Sequence, residues 1–591
     1  MKLSSIPNVA TRLQVLAAAF AVWLIAVVVL VATRGPSLAL NLGDTDDALR
    51  LTMVRELAEG RGWFDQKLTR LQPPMGLYMH WSRLVDGGET LVLKLFGLTM
   101  APAQAEFAMR MTWPLLWILP VVVAVLLLAR RLGDGRAVFM GAVAAILSFR
   151  ASGEFLPGRI DHHNVQITCC MIALAAATQA PSVGWAIAGG LACALGLAVG
   201  LEAIVFHALI GAAVALSWAF GRTSGRSLAA YGAALAGGIV GLHLIQTPPD
   251  RWTLTACDAL GLNLVAAIAV AGAGVLTLGL AANRAGPRLR VALLAAVGAA
   301  GAGVYLGLDP ACLHGPLARV DPVLQAAWLG QIRELQPWPR LLAKDPAAAV
   351  NLAVPVVVGL ISLGWLAWRR RGAPSVALAL VGGGLLVATI MGLMATRSTQ
   401  YAIWFSAPLA GAALADFAGA CLGGAMLPAV ALAVALSLAP IGLVSLIPSG
   451  KEAQVDAAPL MGSAGANPCI AASALRPLAR LPKGLVLAEI DEGPYILAET
   501  PHAVLQAPYH RMGWGIRQAR AAYAAPADNG DDRLRGLGVT YVVDCPAHSG
   551  HSDRTGLAVG SLQARLDAAR PPTWLRSLSK PADPLQIYAL R

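Results

Sequence analysis

This sequence has little charge. Of its 591 residues only 13% are charged, against 57% hydrophobic, and the mean hydropathy is +0.63. A soluble protein carries about twice that charged fraction, so a wholly soluble globular chain is excluded. CxxC pairs are missing. The eight cysteines show no zinc-ligand spacing, and Cys169, Cys170, Cys193 and Cys421 lie in or beside apolar runs, so a structural zinc finger is not expected. Long basic blocks are missing too. The net charge of +12 invites a nucleic-acid reading, but the arginines sit in short clusters between apolar runs, as orientation signals do. No internal repeat stands out, which disfavours a transporter or flippase, whose signature is repeated halves with charges near mid-membrane.

What the chain does have is apolar runs. A basic lead, Met1–Arg12, precedes the run Leu13–Ala32, which is about long enough to span a bilayer and is expected to stay as a first helix. Thirteen such runs are expected to be helical spans, the last near 425–447. With the N-terminus in the cytoplasm, the clusters at Arg130-Arg131, Arg222…Arg226, Arg284…Arg290 and Arg369-Arg370-Arg371 all fall on the cytoplasmic side. The polar, non-basic loops then share the opposite face: 35–111, the loop holding Asp161, 308–348, and the turn Thr396–Gln400. A polytopic α-helical membrane domain, 1–447, is followed by soluble-type sequence, 448–591, expected to be an external α/β domain.

Within that last segment Gly484–Ile490, Ala503–Gln506 and Val539–Val543 read as strands, and Met512–Tyr523 and Ser561–Ala569 as helices. Cys469 and Cys545 are its only cysteines, and an oxidising compartment allows them either to pair or to stay as two buried thiols. His502, Tyr509, His510 and Arg511 cluster there, as a groove lining or as a set satisfied in the core. In the first loop Asp46–Glu59 reads as an amphipathic helix with Arg50 and Arg55 on its polar side, and Glu89–Met100 as a helix lying along the interface. Trp63, Trp81 and Trp338 fall where interfacial tryptophans anchor. Glu202 reads as a structural hydrogen-bonding group.

Four polar sites fall on the non-cytoplasmic face: Gly43-Asp44-Thr45-Asp46-Asp47, Asp161-His162-His163, the loop stretch Gln331–Pro337 with Glu334, and Arg397. Carboxylates and imidazoles suit a divalent cation, and Asp161 and His163, two residues apart, are able to converge on one. A guanidinium nearby suits a phosphate.

In this order the elements resemble the catalytic subunit of oligosaccharyltransferases and, more broadly, the class C (GT-C) glycosyltransferases with polyprenyl-linked donors. Gly43–Asp46 fits the family's GxxD loop, Asp161-His162-His163 its DHH loop, Ile332-Arg333-Glu334 its mobile-loop glutamate motif with the first position lost, and Arg397…Tyr401 its phosphate-contacting arginine. Pro73–Tyr78 is similar to a segment of lipid-A aminoarabinose transferases and protein mannosyltransferases. The resemblance implies a multi-pass membrane enzyme, in a bacterial inner membrane with a periplasmic site. It would move a sugar or oligosaccharide from a polyprenyl-phosphate or -pyrophosphate donor to a glycan, lipid or protein acceptor. It implies Mn²⁺ or Mg²⁺ held by Asp46, Asp161, His163 and Glu334, with Arg397, His162 and Tyr401 at the donor phosphate. Asp46, or Asp47 if the register slips by one, orients the acceptor. His162 is expected to point away from the cation. One departure stands out: where the family carries WWDYG, the reader of N-glycosylation sites, this chain has Ala488–Tyr495 without a tryptophan pair.

Overall fold

The computed structural model describes residues 9–38, 42–179, 181–371, 375–445, 467–546 and 558–591. Each of the thirteen apolar runs is a helix, from Val9–Leu38 to Met426–Ser445. Eight helices among the described residues are long and apolar enough to cross a membrane. The other five, Gly135–Phe149, His163–Thr178, Val183–Val199, Ile204–Ala219 and Met426–Pro440, are apolar but shorter. Among the eight long spans Thr396–Cys421 is the most enclosed, with every residue buried from Tyr401 to Ala415. Small residues allow this. A Cβ on Gly411 would lie 2.5 Å from the backbone of Gly141, so these two helices touch through their main chains.

The first loop is a packed unit. Asp44 caps the helix Thr45–Ala58, and a short antiparallel ribbon, β1 (Lys67–Leu68) with β2 (Leu77–Tyr78), flanks the Pro73-Pro74 turn. A second helix runs Arg83–Gly97. It starts six residues before the expected Glu89. Its first turns carry Arg83, Asp86 and Glu89, which look like surface charges in sequence, yet all three are buried. Asp86 binds Arg83 at 3.2 Å and Arg50 at 2.7 Å, and Arg50, which the amphipathic reading put in solvent, is 0% exposed. Trp81 is likewise no interfacial anchor: it is buried, with the Arg50 guanidinium 4.5 Å over its ring. The far side of this helix leaves Leu91, Leu95 and Leu98 exposed, as an interfacial helix requires.

The C-terminal segment holds a five-stranded sheet of β3 (Leu485–Leu487), β4 (Ala503–Val504), β5 (Val539–Asp544), β6 (Leu575–Ser577) and β7 (Gln586–Leu590), in the order β4-β3-β5-β7-β6. β4, β3 and β5 are parallel, while β7 is antiparallel to both of its neighbours. Its helices Gly513–Ala524 and Leu562–Asp567 lie within a residue or two of the expected ranges, while β6 and β7 were not foreseen. Cys469 and Cys545 are paired, and so are Cys257 and Cys312, which no sequence pattern had linked.

One apolar core crosses these divisions. It holds Leu49 and Met53 of the first loop, Ile160 beside Asp161, Leu324 and Trp328 of the long loop, and Val486, Tyr495 and Val543 of the C-terminal unit. The loop 308–348 contains short helices at Pro322–Ala327 and Trp338–Lys344.

Candidate functional site

The site begins with a helix cap. Asp44 is extended, and its Oδ1 accepts the N–H groups of Asp46 and Asp47, each at 3.0 Å. Asp47 returns the contact, its Oδ2 accepting the Asp44 N–H at 3.0 Å to complete a capping box. The same Asp47 carboxylate also holds the second acidic loop. Its Oδ1 accepts the N–H groups of Ile160 at 2.8 Å and Asp161 at 3.0 Å. Arg159 completes the brace, reaching Asp47 at 2.8 Å, Glu154 at 3.1 Å, and Asp44. With four donors on it, Asp47 positions the loops and has little capacity left to act as the base once allotted to it as an alternative.

Asp161 is buried at the end of this brace. Its Oδ1 lies 2.5 Å from His162 Nδ1 and 3.4 Å from Arg50 Nη2. Its Oδ2 lies 3.1 Å from His163 Nε2 and has no hydrogen-bond partner among the described residues. Burial alone would raise this carboxyl, but the His162 and His163 imidazoles and Arg50 hold it well below the ordinary range. His163 Nδ1 lies 3.1 Å from Gln166 Oε1. A proton on Nδ1 then leaves the Nε2 lone pair facing Asp161 Oδ2.

His162 does not point away. Its ring turns onto Asp161, with Nε2 3.5 Å from Glu202 Oε1. Burial opposes its charged form, yet the Asp161 and Glu202 carboxylates outweigh that and raise it to about 9. A protonated His162 is a neighbouring cation. Ligand atoms of Asp161, His162 and His163 all lie within 4.8 Å of one another.

Asp46, in the first turn of its helix, is half-buried. Its carboxyl is pushed well above the ordinary range by burial, then by the charges of Asp161, Asp44 and Glu334, against Arg397. The Arg397 guanidinium covers the open side. It touches His163 Nε2 and lies 3.4 Å from Glu202 and 3.7 Å from Glu334. Glu334 is half exposed; its backbone carbonyl accepts from the Thr396 hydroxyl at 3.2 Å, and Gln336 O accepts the Thr396 N–H at 3.0 Å. A cleft of about 430 Å³ lined by Leu317, Leu329 and Leu335 opens next to it. Tyr401 sits a turn below Arg397, its ring 4.9 Å from Phe206 and its buried hydroxyl without a hydrogen-bond partner among the described residues.

Asp46, Asp161, His163, Glu334 and Arg397 thus share one electrostatic neighbourhood, although Glu334 meets Arg397 rather than the Asp161 cluster. Arg50 was missed by sequence reasoning. It joins Asp86 at 2.7 Å and Asp161 at 3.4 Å. The available signal was its place in a stretch, Ala48–Val54, whose only other polar residue is Thr52. Glu202, read as structural, accepts from Gln166 Nε2 at 2.5 Å. His502 is satisfied in the core by the Gly484 N–H and Leu478 O, and the hydroxyls of Tyr495 and Tyr509 donate to Gly43 O and Thr45 O, each at 3.0 Å.

No family model and no curated protein matches this sequence. Solved structures do. The oligosaccharyltransferase of Archaeoglobus fulgidus in its apo form aligns at TM-score 0.65 and 16% identity, over 90% of this chain and 70% of that one. The archaeal oligosaccharyltransferase AglB from the same organism, in complex with an inhibitory peptide and a dolichol-phosphate, aligns at 0.67 and 15%, over 97% and 74%. The complex with Zn and sulfate aligns at 0.58 and 14%, over 96% and 73%. The chain has an oligosaccharyltransferase-like GT-C fold.

Proposed function

We propose that this oligosaccharyltransferase-like membrane fold is a metal-dependent glycosyltransferase that moves a sugar or oligosaccharide from a polyprenyl-phosphate or -pyrophosphate donor to an external acceptor. One observation carries the reading. The buried Asp161 Oδ2, with no hydrogen bond of its own, faces a His163 Nε2 whose lone pair Gln166 orients. A buried anionic oxygen beside an imidazole lone pair is half of a cation site, and the residues present fit a hard divalent ion, Mn²⁺ or Mg²⁺. Asp161 and His163 would hold it, with Asp46 and Glu334 completing the set. When bound, such a cation neutralises the phosphate charge that develops as the sugar leaves.

The chain's own residues supply the rest. Arg397 releases His163 and turns to the donor phosphate, for which a guanidinium offers paired donors. Asp46, at the head of a capped helix, is set to orient the acceptor's nucleophile and take its proton. His162 and Tyr401 would join Arg397 at the donor phosphate, and the cleft lined by Leu317, Leu329 and Leu335 would offer apolar surface to the carrier. The acceptor is not read as an N-glycosylation-site peptide. The segment in the WWDYG position is buried at Ile490, Glu492 and Tyr495, and Tyr495 is bonded to Gly43 O, so it faces the acidic loop instead of forming an open pocket.

The orientation is part of the proposal: thirteen spans, with the site and residues 448–591 outside, in the periplasm of a bacterial inner membrane. A reporter after Arg371 then reads as cytoplasmic and one at Arg591 as external. The reaction is tested by adding lipid-linked sugar, acceptor and Mn²⁺ to the purified protein and measuring polyprenyl phosphate or pyrophosphate. Metal-dependent release is expected. Movement of the intact lipid-linked glycan across the bilayer without release would make the protein a flippase.

A further inference from the structure

A second polar cluster joins three distant parts of the chain. His80 follows β2, Asp258 lies between the helices Gly225–Gln246 and Leu262–Ala281, and His510 opens the turn before Gly513–Ala524. His510 Nε2 is 2.6 Å from Asp258 Oδ2. The His80 and His510 rings stand 4.6 Å apart at 60°, and one ligand atom from each of the three residues lies within 4.8 Å of the others. Arg511 grips the same carboxylate, with Nε on Oδ2 and Nη2 on Oδ1, both at 2.7 Å.

An ion pair explains three of these four residues. It does not explain His80, whose Nδ1 is buried with no hydrogen-bond partner among the described residues. The His80 ring stands edge-on to His510 and brings this unengaged nitrogen to the cluster. Two imidazoles and a carboxylate oxygen converging on one point are the donor set of zinc-like cations.

We propose that His80, Asp258 and His510 bind a divalent cation of the zinc class, separate from the Asp161 site, that fastens the first loop, the 247–261 loop and the C-terminal unit together. Water fills the fourth position. The cation would take the place of the His510 Nε2–Asp258 Oδ2 contact and of the Arg511 Nε bond to Oδ2, while Arg511 Nη2 stays on Oδ1 and steadies the carboxylate from outside. Cys257, next to Asp258, is paired with Cys312, so a covalent link already holds the same loop from its other side.

The test counts zinc. Full-length protein in nanodiscs is stripped with chelator, given Zn²⁺, desalted and assayed for bound zinc. The proposal expects two ions per chain. Asp161→Ala should leave one, and that ion should disappear when His80→Ala or His510→Ala is added. Cobalt in the Asp161→Ala protein should give the visible bands of a low-coordinate nitrogen–oxygen site, lost with the second substitution. A single ion that survives Asp161→Ala and is lost with His80→Ala upholds this site and removes the proposed catalytic cation. No zinc in Asp161→Ala, which needs no change at the cluster itself, overturns the proposal, as does a count unchanged by His80→Ala.

Discussion

The loops carrying Asp46 and Asp161 and the loop carrying Glu334 are built on opposite plans. In the first pair carboxylates hold the backbone at the site: Asp44 holds the helix start, Asp47 holds the Asp161 loop, and Arg159 spans both. Beneath them Arg50 and Asp86 form a wholly buried pair. Glu334 has none of this. Its side chain is half exposed, and its loop meets the site through two bonds to Thr396 and the longer contact to Arg397. Rigid ligands on one side and a lightly held ligand on the other are what a site needs to be set in advance and still admit a bulky donor. On this contrast the loop 308–348 is expected to act as a lid that closes over bound donor and excludes water that would otherwise hydrolyse the activated sugar.

The largest effect should come from breaking the rigid side. Asp161→Ala is expected to cut carrier release by about a hundredfold or more, since a charged ligand to a catalytic cation is lost. Full activity of that variant in EDTA would remove the metal from the mechanism. Next comes the brace. Asp47→Ala leaves the Asp161 N–H unpaired in a buried place and the Ile160 N–H with Gly158 O alone, at a cost of about 1–3 kcal/mol, read as a lowered Tm. Asp47→Asn keeps an acceptor for both and should recover part of that loss. If neither variant shifts Tm or activity, the contrast between the loops is wrong.

The lightly held side should answer differently. Glu334→Gln is expected to cost turnover by about tenfold with Tm unchanged, as for a group that acts only in the closed state. Protease cleavage within 312–333 should slow when donor and metal are added together. An active Glu334→Gln protein with unchanged cleavage leaves the loop static.

The smallest effect is pH-dependent. Burial would raise the Asp258 carboxyl, but His510 and Arg511 hold it far below its ordinary 3.8. Its stabilising contribution, about 1 kcal/mol for a partly exposed pair, is therefore complete above pH 4 and lost only as pH falls further. The Tm gap between the native protein and Asp258→Asn should be constant from pH 5 to 8 and shrink below 4.

Much of this was legible. Apolar length placed the helices, and the motifs at Asp46, Asp161, Glu334 and Arg397 named residues that the fold brings into one neighbourhood, because both are local patterns. What escaped was pairing across distance. Arg50 reads as a solvent charge until Asp86 and Asp161 are beside it, and the early turns of Arg83–Gly97 were lost for the same reason. Cys257 and Cys312 are 55 residues apart with two helices between, and spacing says nothing of such a bond. His162 was aimed outward on alternation alone, whereas the Asp161 carboxylate draws it back.

The apolar core that joins Leu49 and Ile160 to Val486 and Val543 bears on how the protein is made. A ribosome delivers the acidic loops early and the strands that bury them last, so a nascent chain carries an unfinished site through most of its synthesis. Tyr495 and Tyr509 reach the Gly43 and Thr45 carbonyls only when the final quarter has emerged. An unfinished chain therefore lacks the contacts that close the first acidic loop, and loss of the final quarter is expected to leave the site incomplete.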